Sequence, residues 1–275
     1  MPRIGLTTRF ASHVGLAPLA FWETKGVTGA RRPLPAGAVP CVSAFADDAV
    51  ARAHPDWVQV GPGGVGAVRG AAPYFDWAHL CPSHPEVLAL ADAWVEEAVQ
   101  SQAGAAHLAL RLSDAGFARE GFCTCGRCAD GAGRRGLDPE AYRLHVTAEA
   151  IDRWRRRLGP DGRLFLTLYP DPYPGHLERR FGLDPDRLRP WVDAFVVPLY
   201  DLAYATTHWL ETLAQGFADR LAGHPWYAEL YALGVEPARL ERAARVALAY
   251  AYGVVLAYGR DRGEVAALLE RLART

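Results

Sequence analysis

The chain has 275 residues, 50% hydrophobic and 11% aromatic, with a formal net charge of −1. That length supports one large core or two small ones, and the near-neutral charge argues against a nucleic-acid or polyanion partner. No run of 18 apolar residues would span a bilayer, and the N-terminal stretch has no basic region followed by a clean apolar run, so neither a membrane segment nor a signal peptide is expected.

In chain order, strands are expected at residues 4–8, 39–45, 107–112, 163–169, 194–199, 226–231 and 253–258. Each is a short run, apolar on both faces, as a strand buried on both sides should be. An eighth is expected at either 19–22 or 58–60. Amphipathic helices are expected at 85–102, 139–158, 207–222, 237–250 and 262–273. The first opens with Ser83-His84-Pro85-Glu86, the pattern of a capping box with proline in the first turn. Alternating strands and helices with short links imply parallel strands and right-handed crossovers. The expected fold is therefore a single (β/α)8 barrel, a TIM barrel, over residues 1–275. A doubly wound sheet is the rival, but Gly61-Pro62-Gly63-Gly64 has no helix behind it and does not read as a phosphate turn.

Cys123-Thr124-Cys125-Gly126-Arg127-Cys128, with Cys81 upstream, is the densest chemical signal. Three thiols within six residues cannot all pair in good disulfide geometry, whereas Zn²⁺ takes soft sulfur ligands at that density. Cys81 would close the set, and a site of four cysteine ligands is saturated and hence structural. The expected cofactor is one structural Zn²⁺, in a loop region spanning residues 79–130; three free thiols on an exposed loop are the plainer alternative. Five cysteines in a chain read as cytoplasmic suit metal ligation better than disulfides. Cys41, on an apolar strand, reads as a buried small hydrophobe.

Barrel enzymes carry their reacting groups at the C-terminal ends of strands. Here those ends offer Asp114, Asp171, Asp201 and Arg260, with Glu229 inside an otherwise apolar strand. A buried charge needs a partner or a task. Asp114 and Glu229 are the pair that suits two-carboxylate glycoside hydrolysis. The plainer reading pairs Glu229 with a barrel arginine such as Arg111 and leaves Asp114 capping a loop. Tyr169, Tyr200 and Asp201 are expected to line subsites. Of the tryptophans at 22, 57, 77, 191 and 226, Trp22 and Trp77 are the expected sugar-stacking residues. The histidines at 54, 79, 84, 208 and 224 show no ligand spacing and read as loop or cap residues. The arginine-rich stretch 153–157 reads as a solvated helix face.

Four stretches then resemble the glycoside hydrolase family 42 β-galactosidases and related barrel glycosidases: His54-Pro55-Asp56-Trp57; His79 to Pro85; the strand ending Ser113-Asp114; and Cys123-x-Cys125-x-x-Cys128. The resemblance implies a structural zinc on the four cysteines. It places Ser113-Asp114 where that family has an Asn-Glu pair with the acid/base, and Glu229 on the nucleophile strand. The passage from Leu248 to Tyr258 resembles the family's next helix–strand passage. The chain departs from that pattern in Ser-Asp for Asn-Glu and in having no asparagine at all. The expected function is hydrolysis of a glycosidic bond with retention, by Asp114 and Glu229. The alternative is a non-catalytic carbohydrate-binding barrel. A carbohydrate partner is expected, no nucleic acid and no membrane, with room for a homo-oligomer.

Overall fold

The computed structural model describes residues 1–274 and contains a closed barrel of eight parallel strands, ordered β1 to β8 around the ring as they run in the chain. In chain order these are β1 (Ile4–Thr8), β2 (Leu19–Lys25), β3 (Val39–Ser43), helix α1 (Asp48–Ala53), α2 (Pro85–Gln100), β4 (Ala109–Ser113), α3 (Gly126–Arg135) and α4 (Pro139–Arg157). They continue with β5 (Arg163–Thr167), α5 (His176–Phe181), α6 (Pro185–Leu188), β6 (Ala194–Pro198), α7 (His208–Arg220), β7 (Trp226–Tyr231), α8 (Pro237–Leu248), β8 (Gly253–Ala257) and α9 (Arg262–Ala273). β1 closes the ring on β8, with Gly5 opposite Val255 and Thr7 opposite Ala257.

The (β/α)8 expectation therefore holds, and the eighth strand is β2. The alternative at 58–60 forms only isolated bridges, Val58 to Leu80 and Val60 to Gly66, inside the long β3–α2 connection. The expected capping box is also corrected. His84, not Ser83, caps α2, its Nδ1 accepting from the Glu86 N–H, while Ser83 Oγ lies 3.2 Å from Cys128 Sγ. Aspartates open several other helices: Asp47 accepts from the Ala49 and Val50 amides, Asp138 from Ala141 and Asp261 from Glu264. Each satisfies an orphan amide and places a negative charge at the positive end of the helix dipole.

Strand alternation sorts the side chains into two cores. Outward residues such as Leu6, Val42, Leu110, Leu166, Val197, Leu230 and Leu256 pack under the helices. Inward residues Leu19, Phe21, Phe165, Ala194, Val196, Tyr227 and Val255 form a smaller plug in the barrel. Above this plug, towards the C-terminal ends, the inward positions turn polar: Thr7, Glu23, Cys41, Arg111, Thr167 and Glu229. The stretch 153–157 is not simply solvated. Trp154 is fully buried and gives its indole N–H to Asp92, while Arg153 and Arg157 also pair with Asp92 on α2. Among the described residues, no helix is long and apolar enough to cross a membrane.

Candidate functional site

A cavity of about 500 Å³ opens at the C-terminal mouth of the barrel, the position where barrel enzymes keep their sites and a volume suited to a small ligand. Of the residues singled out in the sequence, Asp114, Glu229, Tyr169, Tyr200, Trp77 and Arg260 line it. Trp22 does not: it is a buried residue of β2, beside the inward-facing Phe21 and Glu23. Asp201 lies off the lining and accepts from the Ala203 amide. Asp171 is engaged by His176 and Arg180.

Glu229 sits on the cavity floor, 1% exposed. Arg111 grips it in a fork, Nη1 to Oε1 at 2.5 Å and Nη2 to Oε2 at 2.9 Å. The Thr7 hydroxyl donates to Oε1 at 2.5 Å and the Tyr200 hydroxyl to Oε2 at 2.6 Å. Burial alone would raise its pKa. The guanidinium and the two hydroxyls overcome that and hold the carboxyl below its ordinary value, so Glu229 is an anion at neutral pH. Burial and the neighbouring carboxylate push the Tyr200 hydroxyl well up, so it stays a donor. Tyr200 is 41% exposed and faces the opening.

Asp114 stands three strands away around the ring, directly after β4. Its carboxylate accepts from Ser43 Oγ at 2.8 Å and Ser113 Oγ at 3.0 Å, and no cation among the described residues pairs with it. Its backbone is left-handed, φ +49°, and its carbonyl accepts from the Phe45 amide. Tyr258, which also lines the cavity, has φ +64°. Aspartate tolerates that region and tyrosine rarely adopts it, so two of the three non-glycine residues at positive φ border one cavity.

Three more features were not legible as site residues. Tyr231 and Tyr258 join Tyr200 in an aromatic wall, with successive ring centroids 5.4 and 6.1 Å apart. Among the described residues, the hydroxyls of Tyr169, Tyr231 and Tyr258 make no hydrogen bond to the protein, nor does the Trp77 indole N–H. Glu23 is held by Arg9 at 2.8 Å and Arg32 at 2.7 Å.

The third is Lys25, the only lysine against 29 arginines. Its ammonium donates to the carbonyls of Ser43 and Ala46, lies 3.3 Å from Asp47 and sits 3.9 Å over the Trp94 ring. A compact ammonium meets this convergent cage where a planar guanidinium would not. Burial lowers its pKa to about 8, against the pull of Asp47. Between about pH 8 and 10.5 the unfolded chain therefore holds the proton that the folded chain has lost, and stability rises with pH across that window. The penalty fully present below pH 8 is roughly 3 kcal/mol. Because Lys25 is the only lysine, its ¹³Cε resonance needs no assignment. Its NMR titration is expected to have a midpoint near 8, and a midpoint near the ordinary value would refute the buried cage.

The second cluster lies beside the mouth. The sulfurs of Cys81, Cys123, Cys125 and Cys128 all lie within 4.8 Å of one another. Cys81 is 3.7 Å from Cys125 and 3.5 Å from Cys128. Four sulfurs about a zinc ion at about 2.3 Å would stand about 3.8 Å apart, so the donor set fits a tetrahedral ion of that size. The Val60 amide donates to Cys123 Sγ at 3.2 Å, as expected of a site built for thiolates. Hydrogen bonds from the neighbouring thiols hold Cys125 far below its ordinary pKa. α3, which carries Cys128, packs on α4 so closely that a Cβ on Gly131 would fall 2.1 Å from the Tyr142 hydroxyl. Cys41 is separate, on β3. It lines the cavity, and burial pushes its thiol up to about 12.

No protein-family model and no curated protein matches this chain. Solved structures do. The chain is similar to α-L-fucosidase isoenzyme 2 from Paenibacillus thiaminolyticus, with a TM-score of 0.67 at 14% identity over 100% of this chain and 49% of that one. It thus spans about half the fucosidase's length. It is similar also to a chitinase from Chromobacterium violaceum, TM-score 0.56 at 12% identity and 100% of both chains. A third is TtGalA, an α-galactosidase from Thermus thermophilus, TM-score 0.55 at 14% identity over 98% of this chain and 62% of that one. At these identities the likeness is one of fold.

Proposed function

We propose that the protein is a barrel glycoside hydrolase acting with retention, related to the family 42 type, with Glu229 as nucleophile and Asp114 as acid/base. The observation that carries this reading is one cavity holding both carboxylates under an aromatic wall, with the Trp77 indole N–H on its lining left without a protein partner. Sugars present apolar C–H faces and many hydroxyls, and this lining answers both. The names of the similar structures, all glycosidases, support it.

In this reading the Glu229 carboxylate attacks the anomeric carbon. The glycosidic bond breaks, its electron pair leaves with the departing oxygen, and Asp114 supplies that oxygen's proton. Asp114 then takes a proton from water, whose oxygen attacks the same carbon and returns Glu229 as a carboxylate. Arg111 and Thr7 keep Glu229 ionised and aimed. Tyr200, exposed on its ring face, is the partner whose movement frees Oε2 for attack. The Ser43 and Ser113 hydroxyls orient Asp114. Cys81, Cys123, Cys125 and Cys128 would hold a zinc ion, which supplies a cross-link between the β3–α2 connection and α3 rather than chemistry.

One observation favours binding without cleavage: both oxygens of Glu229 are already doubly engaged and the residue is closed from solvent. Incubation with activated 2-deoxy-2-fluoro glycosides separates the two readings. Hydrolysis predicts a covalent adduct on the peptide carrying Glu229, seen by mass spectrometry, and a loss of about 10²–10⁴-fold in turnover for Asp114→Asn. Sugar binding with no adduct and no turnover in any of the panel would establish the binding reading instead.

A further inference from the structure

The charges around the cavity are not balanced evenly. Arg111 is matched by Glu229 and Lys25 by Asp47. Glu23, however, faces two guanidinia, Arg9 on one oxygen and Arg32 on the other. Arg260, immediately beyond β8, also lines the cavity, is exposed, and makes no side-chain hydrogen bond, ion pair or ring contact among the described residues. Arg9 and Arg260 leave adjacent strand ends, since β1 pairs with β8 and the Tyr258 amide donates to the Thr7 carbonyl. Arg9 lies over the Tyr258 ring, 5.1 Å from its centroid. This side of the mouth therefore carries positive charge that the protein does not neutralise. The unpaired carboxylate, Asp114, follows β4, four strands round the ring from β8 and hence on the opposite side.

From this polarity we infer that the substrate is an acidic sugar, its anionic group bound by Arg260 and Arg9 on the side of the mouth facing Asp114. The inference rests on the glycosidase reading above. There Asp114 marks the leaving-group side, so the anion belongs to the sugar whose bond is cleaved. A carboxylate suits this site because a guanidinium can meet both its oxygens in plane. Sulfate and phosphate esters share that chemistry. The near-neutral charge of the whole chain is no obstacle, because selection for one acidic group needs only a local field.

The test is calorimetric binding at low ionic strength to glucose and galactose, to their hexuronic acids, and to their 6-sulfates and 6-phosphates. At least one acidic form is expected to bind about tenfold more tightly than its neutral counterpart, and the form that does so identifies the group. Added salt should erode the difference, because the rim is solvated. In Arg260→Ala the ratio of acidic to neutral affinity should collapse towards one, and Arg260→Lys should keep part of it. Arg260 is exposed and makes no side-chain hydrogen bond, ion pair or ring contact among the described residues, so its variants should melt as the unaltered protein does, and a lost ratio cannot be blamed on misfolding. Neutral sugars binding as well as acidic ones, or an unchanged ratio in Arg260→Ala, would overturn the acidic substrate and leave the glycosidase reading standing. Binding of no sugar of either kind, with no turnover, would overturn both.

Discussion

Glu229→Gln is expected to abolish turnover and also to lower the unfolding free energy by about 3–5 kcal/mol, the cost of stranding a buried cation. Stability falls with activity because Arg111 is 4% exposed and pairs with the Glu229 carboxylate. In a chain of this length each kcal/mol moves the thermal midpoint by about 2 °C, so calorimetry should register a fall of roughly 6–10 °C. A double variant, Arg111→Met with Glu229→Leu, removes both charges and should recover much of that loss, since apolar replacements of a buried pair are often neutral or stabilising. It should recover no activity. An unshifted midpoint in Glu229→Gln would mean that the pair is hydrated in solution, and the closed cavity floor would be wrong.

The pair also sets an acid limit. Glu229 has a lowered pKa in the folded protein, so its contribution is complete above the ordinary glutamate range, about 4.3, and is lost as pH falls through the folded value. Acid sensitivity should therefore be blunted in the double variant. Stability rises with pH on this limb as it does across the Lys25 window, but here in the acid range rather than the alkaline one.

Removing metal from the cysteine cluster should be nearly as costly. The purified protein is expected to hold about one zinc per chain by elemental analysis. Cys128→Ser should reduce that to near zero, while Cys41→Ser, on the barrel wall, leaves it unchanged. Binding a thousandfold above its dissociation constant stabilises a fold by about 4 kcal/mol, so chelation should lower the midpoint by roughly 8 °C. The loss should be local. Phe122 is packed against Gly61 so tightly that a Cβ there would fall 2.3 Å from its ring, and Thr124 bonds both to Val60 and to Gly61. The barrel strands share none of these contacts. Metal-free protein with an unchanged midpoint would favour four free thiols.

The barrel was legible because its signal is local. Ile4–Thr8, Trp226–Tyr231 and Arg262–Ala273 match their expected bounds, since short apolar runs and a helical period are properties of neighbouring residues. β2 was harder because Glu23 and Lys25 interrupt its apolar run. Glu23 points into the barrel, and a bulge after it sets Lys25 opposite Val42 with its ammonium over Trp94 of α2, directions that exist only once the ring closes and the helix packs on it. α3 begins inside the stretch expected as a loop, and its Gly126, Gly131 and Gly133 have poor helix propensity. Its packing on Tyr142 overrides that. The four cysteines were legible from residue type and spacing, and the structure brings them together across the 47 residues separating Cys81 from Cys128.

The sequence by itself determined the alternation of elements, the cysteine set, and the short roll of strand-end groups from which a mouth is built. Only the tertiary structure decided which of those groups meet. Arg111 and Glu229 are 118 residues apart and Thr7 and Glu229 are 222 apart, distances at which no periodicity carries information. Trp22 and Asp201 were equally plausible by position, and strand direction and loop path leave both off the cavity. Lys25 had one signal, its being the chain's only lysine. Its lowered pKa comes from burial over Trp94 and beside Asp47, and burial is a property of the closed barrel alone.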